Sequence, residues 1–189
     1  MSILRSRTDP RWVEAALSDL DRTLGDHVHC EKKASATALK LIADHPERTA
    51  QVRALAKLAQ EESQHFLAVL VELQRRGAPL PPDEGDPYAQ QLMKLVRNGP
   101  ERMLDRLLVG ALIEARSCER LVMLGPALPD ERLRELFARL AQSEEGHERL
   151  FVELAAAAFG DERTQARLAE LAEEEARVVA ALPLLPRIH

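Results

Sequence analysis

Sulfur and aromatic side chains are scarce in this chain. Only two of its 189 residues are cysteines, and Phe, Tyr and Trp together make up 3%. Two cysteines are too few for a disulfide framework, and their spacing fits neither a rubredoxin-type site nor an iron–sulfur cluster. We therefore expect reduced thiols and a core that is packed mainly by aliphatic side chains.

Long apolar runs and alternating β-branched runs are also missing. No apolar stretch is long enough to span a membrane, and no signal peptide opens the chain. Ala, Leu, Glu and Arg dominate instead, and they favour helix throughout. We therefore expect an all-α protein in the cytoplasm, with no membrane partner.

Positive charge is not in excess, since the formal net charge is −5 at pH 7. This balance does not by itself indicate nucleic-acid binding. The 26 basic residues nevertheless comprise 21 arginines and 5 lysines. Arginine suits phosphate contacts and base stacking, but GC-rich codon usage produces the same bias and is the simpler interpretation.

Helical periodicity and Pro or Gly breaks predict five long helices and one short one. They cover residues 12–43, 47–76, 88–96 (short), 100–124, 130–159 and 162–180. The proline-rich stretch 77–87 starts a long crossover between two helical hairpins, which is the ferritin-like four-helix bundle arrangement. We expect a single domain over 1–189, with a basic N-terminal arm (1–11) and an additional C-terminal helix and tail (160–189).

Two Glu-x-x-His pairs, Glu62–His65 and Glu144–His147, are the main functional signal. Residues three apart on a helix share a face, so each pair can present one carboxylate and one imidazole together. A bundle that holds two metal ions uses two such pairs and one further glutamate from each of the other two helices.

The distance of each glutamate from its hairpin turn selects the two partners. Glu31 and Glu62 lie 15 and 16 residues from Pro46, and Glu114 and Glu144 each lie 15 residues from Pro129. At about 1.5 Å per residue, each pair sits at one height in the bundle. Glu119 would miss that height by roughly 7.5 Å. The predicted metal ligands are Glu31, Glu62, His65, Glu114, Glu144 and His147.

Carboxylate and imidazole donors without thiolate suit iron or manganese. A single Glu-x-x-His on a helix is usually an exposed charge pair, and a metal-free bundle is the alternative. Glu61 and Glu145 point about 100° away from the pairs and are expected to be solvated or to support a ligand. His27 could orient Glu31 or be an ordinary histidine, and Asp26-x-x-His29 is expected to be exposed because it has no partner at its height.

Four sequence strings resemble a known family. They are DHVHCEKKA (26–34), EESQHF (61–66), LVGALIEARSCER (108–120) and SEEGH (143–147). Together they are similar to the tRNA hydroxylases that act on 2-methylthio-isopentenyladenosine beside the anticodon. The resemblance extends from about residue 12 through the fourth long helix, and the C-terminal LPRIH also looks familial.

This resemblance implies a non-haem di-iron monooxygenase that uses two iron ions and dioxygen, with the six residues above as catalytic ligands. The implied partners are the tRNA anticodon stem-loop and an external electron donor such as a ferredoxin or flavin reductase system, and a monomer or dimer is expected. Any basic RNA-binding face must come from folding, from a pool that comprises Arg5, Arg7, Arg11, Arg97, Arg102, Arg106, Arg116 and Arg120. The alternative function is ferritin-like iron storage or peroxide reduction.

Overall fold

The computed structural model describes residues 2–189, which form seven α-helices, two 3-10 turns and no strand. The helices are α1 (Arg11–Ser18), α2 (Leu20–Asp44), α3 (Thr49–Arg75), α4 (Pro87–Met93), α5 (Arg102–Leu124), α6 (Glu131–Phe159) and α7 (Asp161–Ala181), and the turns are Gly99–Glu101 and Gly125–Ala127. The all-α prediction is confirmed. Met1, the first residue of the predicted basic arm, lies outside the described residues.

Helices α2, α3, α5 and α6 form the bundle. The short connections after α2 and α5 make α2–α3 and α5–α6 the two hairpins, and α4 lies within the long crossover between them. Helix α7 packs against α5, α6 and α4. This is the predicted ferritin-like arrangement, with an additional helix at the C-terminal side. No helix within residues 2–189 combines the length and apolarity that a membrane crossing needs.

The predicted first helix over 12–43 is wrong in one respect, because it is two helices. The chain leaves helical geometry at Asp19, whose φ and ψ are −146° and 79°. The Asp19 side chain accepts a hydrogen bond from the Arg22 backbone N–H, which caps α2. An aspartate at this position therefore starts a helix rather than lying within one.

The short crossover helix ends at Met93, three residues before the predicted end. It starts with Pro87 at its first position and with an Asp86 side chain that accepts from the Ala89 N–H. After Met93 the chain continues as a turn with hydrogen bonds between residues three apart. Helix α5 likewise starts at Arg102, because Gly99–Glu101 forms a 3-10 turn.

Two buried apolar clusters occupy the bundle. One contains Leu104, Leu108 and Phe151, and the other contains Leu24, Leu121 and Phe137. Along each of the four bundle helices, the residues of the two clusters leave a gap in the middle of the helix. The four glutamates singled out by the hairpin spacing fall in these gaps, which places them between the two apolar clusters.

Candidate metal centre

One buried glutamate comes from each helix of the bundle. Glu31 lies on α2, Glu62 on α3, Glu114 on α5 and Glu144 on α6, and none is more than 6% exposed. Burying a carboxylate is costly unless a cation or hydrogen-bond donors compensate it. No lysine or arginine within residues 2–189 forms an ion pair with any of the four. Only histidines, bound protons or a metal ion can therefore compensate the negative charge of this cluster.

Two imidazoles complete the cluster, and both direct Nδ1 at the carboxylates. His147 Nδ1 lies 2.8 Å from Glu62 Oε1 and 3.7 Å from Glu144 Oε2. His65 Nδ1 lies 3.4 Å from Glu62 Oε2, 3.6 Å from Glu31 Oε2 and 3.8 Å from Glu144 Oε1. The two rings are 5.6 Å apart. The side chains of Glu62, His65, Glu144 and His147 each offer a ligand atom within 4.8 Å of the others.

Many of these atoms are buried without a hydrogen-bond partner. They are Glu31 Oε1, Glu62 Oε1 and Oε2, His65 Nδ1 and His147 Nδ1. Such atoms are close to one another, yet their geometry does not make hydrogen bonds. Buried oxygen and nitrogen atoms that converge without hydrogen-bond donors are typical of a metal site. The combination of carboxylate and imidazole ligands suits iron or manganese. The residues therefore fit the expected group.

The pKa shifts express the same crowding of negative charge. Burial raises the pKa of Glu114 and Glu144 well above the usual carboxyl range, and the Glu144 carboxylate adds to the shift of Glu114. Burial opposes protonation of His65, but the nearby Glu31 and Glu62 carboxylates raise its pKa to about 9. The pKa of His147 also rises to about 9, because contact with Glu62 outweighs burial. Metal ions would displace these protons.

Two neighbouring side chains orient members of the cluster. His27, on α2, is fully buried, packs edge-on against Phe137 and places Nε2 2.6 Å from Glu31 Oε1. Of the two interpretations that the sequence left open for His27, contact with Glu31 is therefore the observed one. Glu61 lies on the outer side, where its Oε2 is 2.9 Å from His147 Nε2. Partners of this kind fix the tautomer and direction of a coordinating imidazole.

For the neighbouring residues that the spacing excluded as metal ligands, the predicted environment agrees with the structure in one case and not in another. Glu119 bonds Thr8 and Arg116 instead of the cluster, in agreement with its rejection. The expectation that Asp26 and His29 are exposed is wrong for both. Asp26 is only partly exposed and accepts a hydrogen bond from the Ile188 backbone N–H. His29 is 7% exposed. Its Nε2 lies 2.8 Å from the Pro81 carbonyl oxygen. The crossover covers this histidine, and the spacing along one helix could not reveal that.

An apolar cavity of about 430 Å³ extends from the protein surface to Glu114. Its lining comes from α2, α4, α5, α6 and the C-terminal tail, and includes Val109, Ile113 and Phe151. Helical periodicity alone does not predict this cavity. A signal was available, because small residues stand one helical turn from the lone glutamates: Ala34 follows Glu31 by three residues, and Gly110 precedes Glu114 by four.

Fold and site together define a class: a ferritin-like four-helix bundle with a carboxylate–histidine cluster at its centre. The family model described as tRNA-(MS[2]IO[6]A)-hydroxylase (MiaE) matches residues 1–189. The chain belongs to this family, as the resemblance of its sequence strings predicted.

Two relatives carry the name of this family's activity, and a solved structure shares the fold. The chain is 45% identical over 141 residues to the tRNA 2-(methylsulfanyl)-N(6)-isopentenyladenosine(37) hydroxylase of Pseudomonas putida, a match that covers 74% of this chain and 68% of that protein. It is 36% identical over 123 residues to the protein of the same name from Salmonella typhimurium, covering 65% of this chain and 45% of that protein. A solved structure titled "Protein 43 with aldehyde deformylating oxygenase activity from Synechococcus" superposes with a TM-score of 0.94 at 36% identity, covering all of this chain and 96% of that one.

Proposed function

We propose that this protein is a dioxygen-dependent di-iron monooxygenase that hydroxylates the isopentenyl group of 2-methylthio-isopentenyladenosine next to the anticodon of tRNA. One observation carries the proposal. Four buried glutamates and two histidines, without lysine or arginine counter-ions among residues 2–189, lie beside an apolar cavity whose lining includes Glu114, in a chain of the tRNA hydroxylase family.

Glu31, Glu62, His65, Glu114, Glu144 and His147 would hold two iron ions. Both imidazoles present Nδ1 to the carboxylates, and Glu62 lies near both of them. With dioxygen, such a pair of irons supplies the oxidant for C–H hydroxylation. One oxygen atom enters the substrate and the other leaves as water, which consumes two electrons and two protons. The electrons come from an external ferredoxin or flavin reductase system, because the chain has no flavin or dinucleotide fingerprint.

The cavity would bind the isopentenyl chain and exclude water from the reacting carbon. Its apolar walls match a branched hydrocarbon, and Glu114 marks the point where that chain would meet the metal ligands. Lys40 and Arg106, which pair with Asp44, also line the cavity, so cationic side chains accompany its apolar wall. An adenosine extruded from the anticodon loop could insert its modified side chain there while these cations contact phosphate.

Several features beyond the site belong to the same proposal. The whole chain acts as one domain in the cytoplasm, as a monomer or dimer, with the tRNA anticodon stem-loop as its macromolecular partner. Iron storage is less well supported, because an apolar cavity beside the metal ligands has no use in storing iron. The second candidate activity is aldehyde deformylation, since the similar Synechococcus protein carries that name and an apolar cavity also fits an aliphatic aldehyde.

Nucleoside analysis of tRNA tests the proposal. Cells that lack this gene should accumulate the unhydroxylated nucleoside, and a plasmid with the wild-type gene should restore hydroxylation. Glu144→Gln should abolish that rescue, whereas the matched variant of its exposed neighbour, Glu145→Gln, should retain it. Unchanged hydroxylation in the deletion strain would contradict the substrate assignment. Conversion of a long-chain aldehyde by the purified iron-loaded protein, without tRNA hydroxylation, would favour the second candidate.

A further inference from the structure

A second group of potential metal ligands lies outside the glutamate cluster. Cys30 of α2, Asp86 before α4 and His189 of the C-terminal tail each offer a ligand atom within 4.8 Å of the others. His189 Nδ1 lies 3.6 Å from Cys30 Sγ and 3.3 Å from Asp86 Oδ2. Asp26 adds a second carboxylate, with Oδ2 3.8 Å from Cys30 Sγ. Three segments that are distant in sequence therefore bring thiol, imidazole and carboxylate groups to one place.

The separations match the edges of a tetrahedral metal site. An ion with Zn–S of about 2.3 Å and Zn–N or Zn–O of about 2.0–2.1 Å holds its ligand atoms about 3.3–3.6 Å apart. The observed 3.6 Å and 3.3 Å fall in this range. A charge-assisted hydrogen bond between imidazole and carboxylate would be shorter, about 2.7–2.9 Å. The spacing therefore favours a shared ion over a simple histidine–aspartate pair.

The surroundings hold these groups in place, and the facing atoms contact mainly one another, except that Asp26 Oδ2 also accepts a hydrogen bond from the Ile188 N–H at 2.9 Å. Asp86 Oδ1 accepts the capping hydrogen bond of α4, which leaves Oδ2 to face His189. The His189 ring stacks on Tyr88 at 5.2 Å, and its side chain is 4% exposed. The nearest cations, Lys33 and Arg187, are engaged by Asp83 and Glu84. A thiol and two carboxylates thus face one imidazole with no other cation between them.

We propose that Cys30, Asp86 and His189 form a mononuclear site for a borderline divalent transition ion such as Zn²⁺. Asp26 or a water molecule supplies the fourth ligand, and the thiol proton is released to solvent on binding. A thiolate ligand excludes Mg²⁺ and Ca²⁺ and separates this site from the glutamate cluster, which has no sulfur donor. The ion would join α2, α4 and the C-terminal tail along the wall of the apolar cavity, which all three residues line.

Cobalt(II) provides a test that the glutamate cluster cannot imitate. A thiolate bound to Co²⁺ gives an intense charge-transfer band in the near ultraviolet, whereas carboxylate and imidazole ligands give only weak visible bands. Titrating the metal-free full-length protein with Co²⁺ should develop this band to the final intensity of one thiolate-bound ion per chain, while ions taken up by the glutamate cluster do not contribute to it. Cys30→Ala should abolish the band. His189→Gln, which keeps the thiol, should weaken the apparent affinity at least tenfold.

Cys118→Ala is the matched control, because Cys118 donates to the Ala141 carbonyl oxygen on the other side of the bundle and should not affect the band. Circular dichroism and uptake of two Fe²⁺ per chain verify that each variant is folded. These readouts are independent of hydroxylase activity, so the proposed function can fail while this site stands. A wild-type protein without the band, or a band that survives in Cys30→Ala, would overturn the proposal.

Discussion

Glu61 and Glu62 are adjacent on α3, and their side chains meet different partners around one histidine. Glu62 is fully buried and lies beside His147 Nδ1, whereas Glu61 reaches the opposite ring nitrogen from a side chain that is about half exposed. The 100° rotation between neighbouring helical residues explains why they cannot share one role. The second contact depends on the relative position of α3 and α6, so spacing along one helix could predict Glu62 but not the partner of Glu61.

Removing the Glu61 carboxylate should weaken iron binding without removing a ligand. His147 loses the acceptor for its Nε2 proton in Glu61→Ala, and such losses typically cost 10–100-fold in metal affinity. We expect anaerobic Fe²⁺ titration to give nearly two ions per chain with affinity reduced by about that factor. Glu145→Ala removes a comparable exposed carboxylate from α6 and should leave the affinity unchanged. Equal affinities for the two variants would show that Glu61 does not support His147.

At the scale of the helices, the sequence predicts the bundle well and the helix boundaries less well. The hairpin turns at Pro46 and Pro129 and the four glutamate positions follow from helical periodicity, because one apolar stripe per helix must face a common core. The break at Asp19 and the early end of α4 depend on local capping and on what the crossover packs against. The apolar cavity is harder still, since α2, α4, α5, α6 and the tail all contribute to it.

Two mid-helix glycines, Gly25 in α2 and Gly146 in α6, should respond oppositely to alanine. A Cβ on Gly25 would come 2.6 Å from the Pro81 ring, whereas a Cβ on Gly146 meets no atom within 4 Å. Alanine improves helix propensity by up to about 1 kcal/mol in either helix. Gly146→Ala should therefore stabilise the protein by about that amount, and overpacking against the crossover should destabilise Gly25→Ala by roughly 1–2 kcal/mol.

Urea unfolding of both variants measures these changes in the free energy of unfolding. The open space beside Gly146 indicates that this glycine does not serve the close approach of a neighbouring helix. A destabilised Gly146→Ala variant would contradict this interpretation. A Gly25→Ala variant as stable as the wild type would mean that the crossover shifts away from α2 at little cost.

Across the whole molecule, several arginines from the pool expected to supply an RNA-binding face lie inside the protein. Arg116 is fully buried between Glu175 and Glu119, and Arg120 stacks on Trp12 while donating to the Ile188 carbonyl oxygen. Burial lowers the pKa of Arg120 to about 10. Sequence periodicity does not distinguish a buried arginine from an exposed one. The burial of these arginines depends on how α7 and the tail pack against the bundle. The chain thus uses arginine to attach its outer segments to the bundle.

The buried Arg116–Glu175 pair should dominate the attachment of α7. Glu175 also accepts a hydrogen bond from the Tyr88 hydroxyl, so one carboxylate joins α7 to both α5 and α4. Glu175→Gln leaves the Arg116 charge with Glu119 alone, and breaking a buried pair costs about 3–5 kcal/mol. We expect the free energy of unfolding to fall by about 3 kcal/mol, because Glu119 retains part of the compensation.

Glu174→Gln, which removes only the exposed contact with Arg177, should change stability by less than about 0.5 kcal/mol. Urea unfolding midpoints of the two variants test the difference, and similar values would show that α7 is held by apolar packing instead.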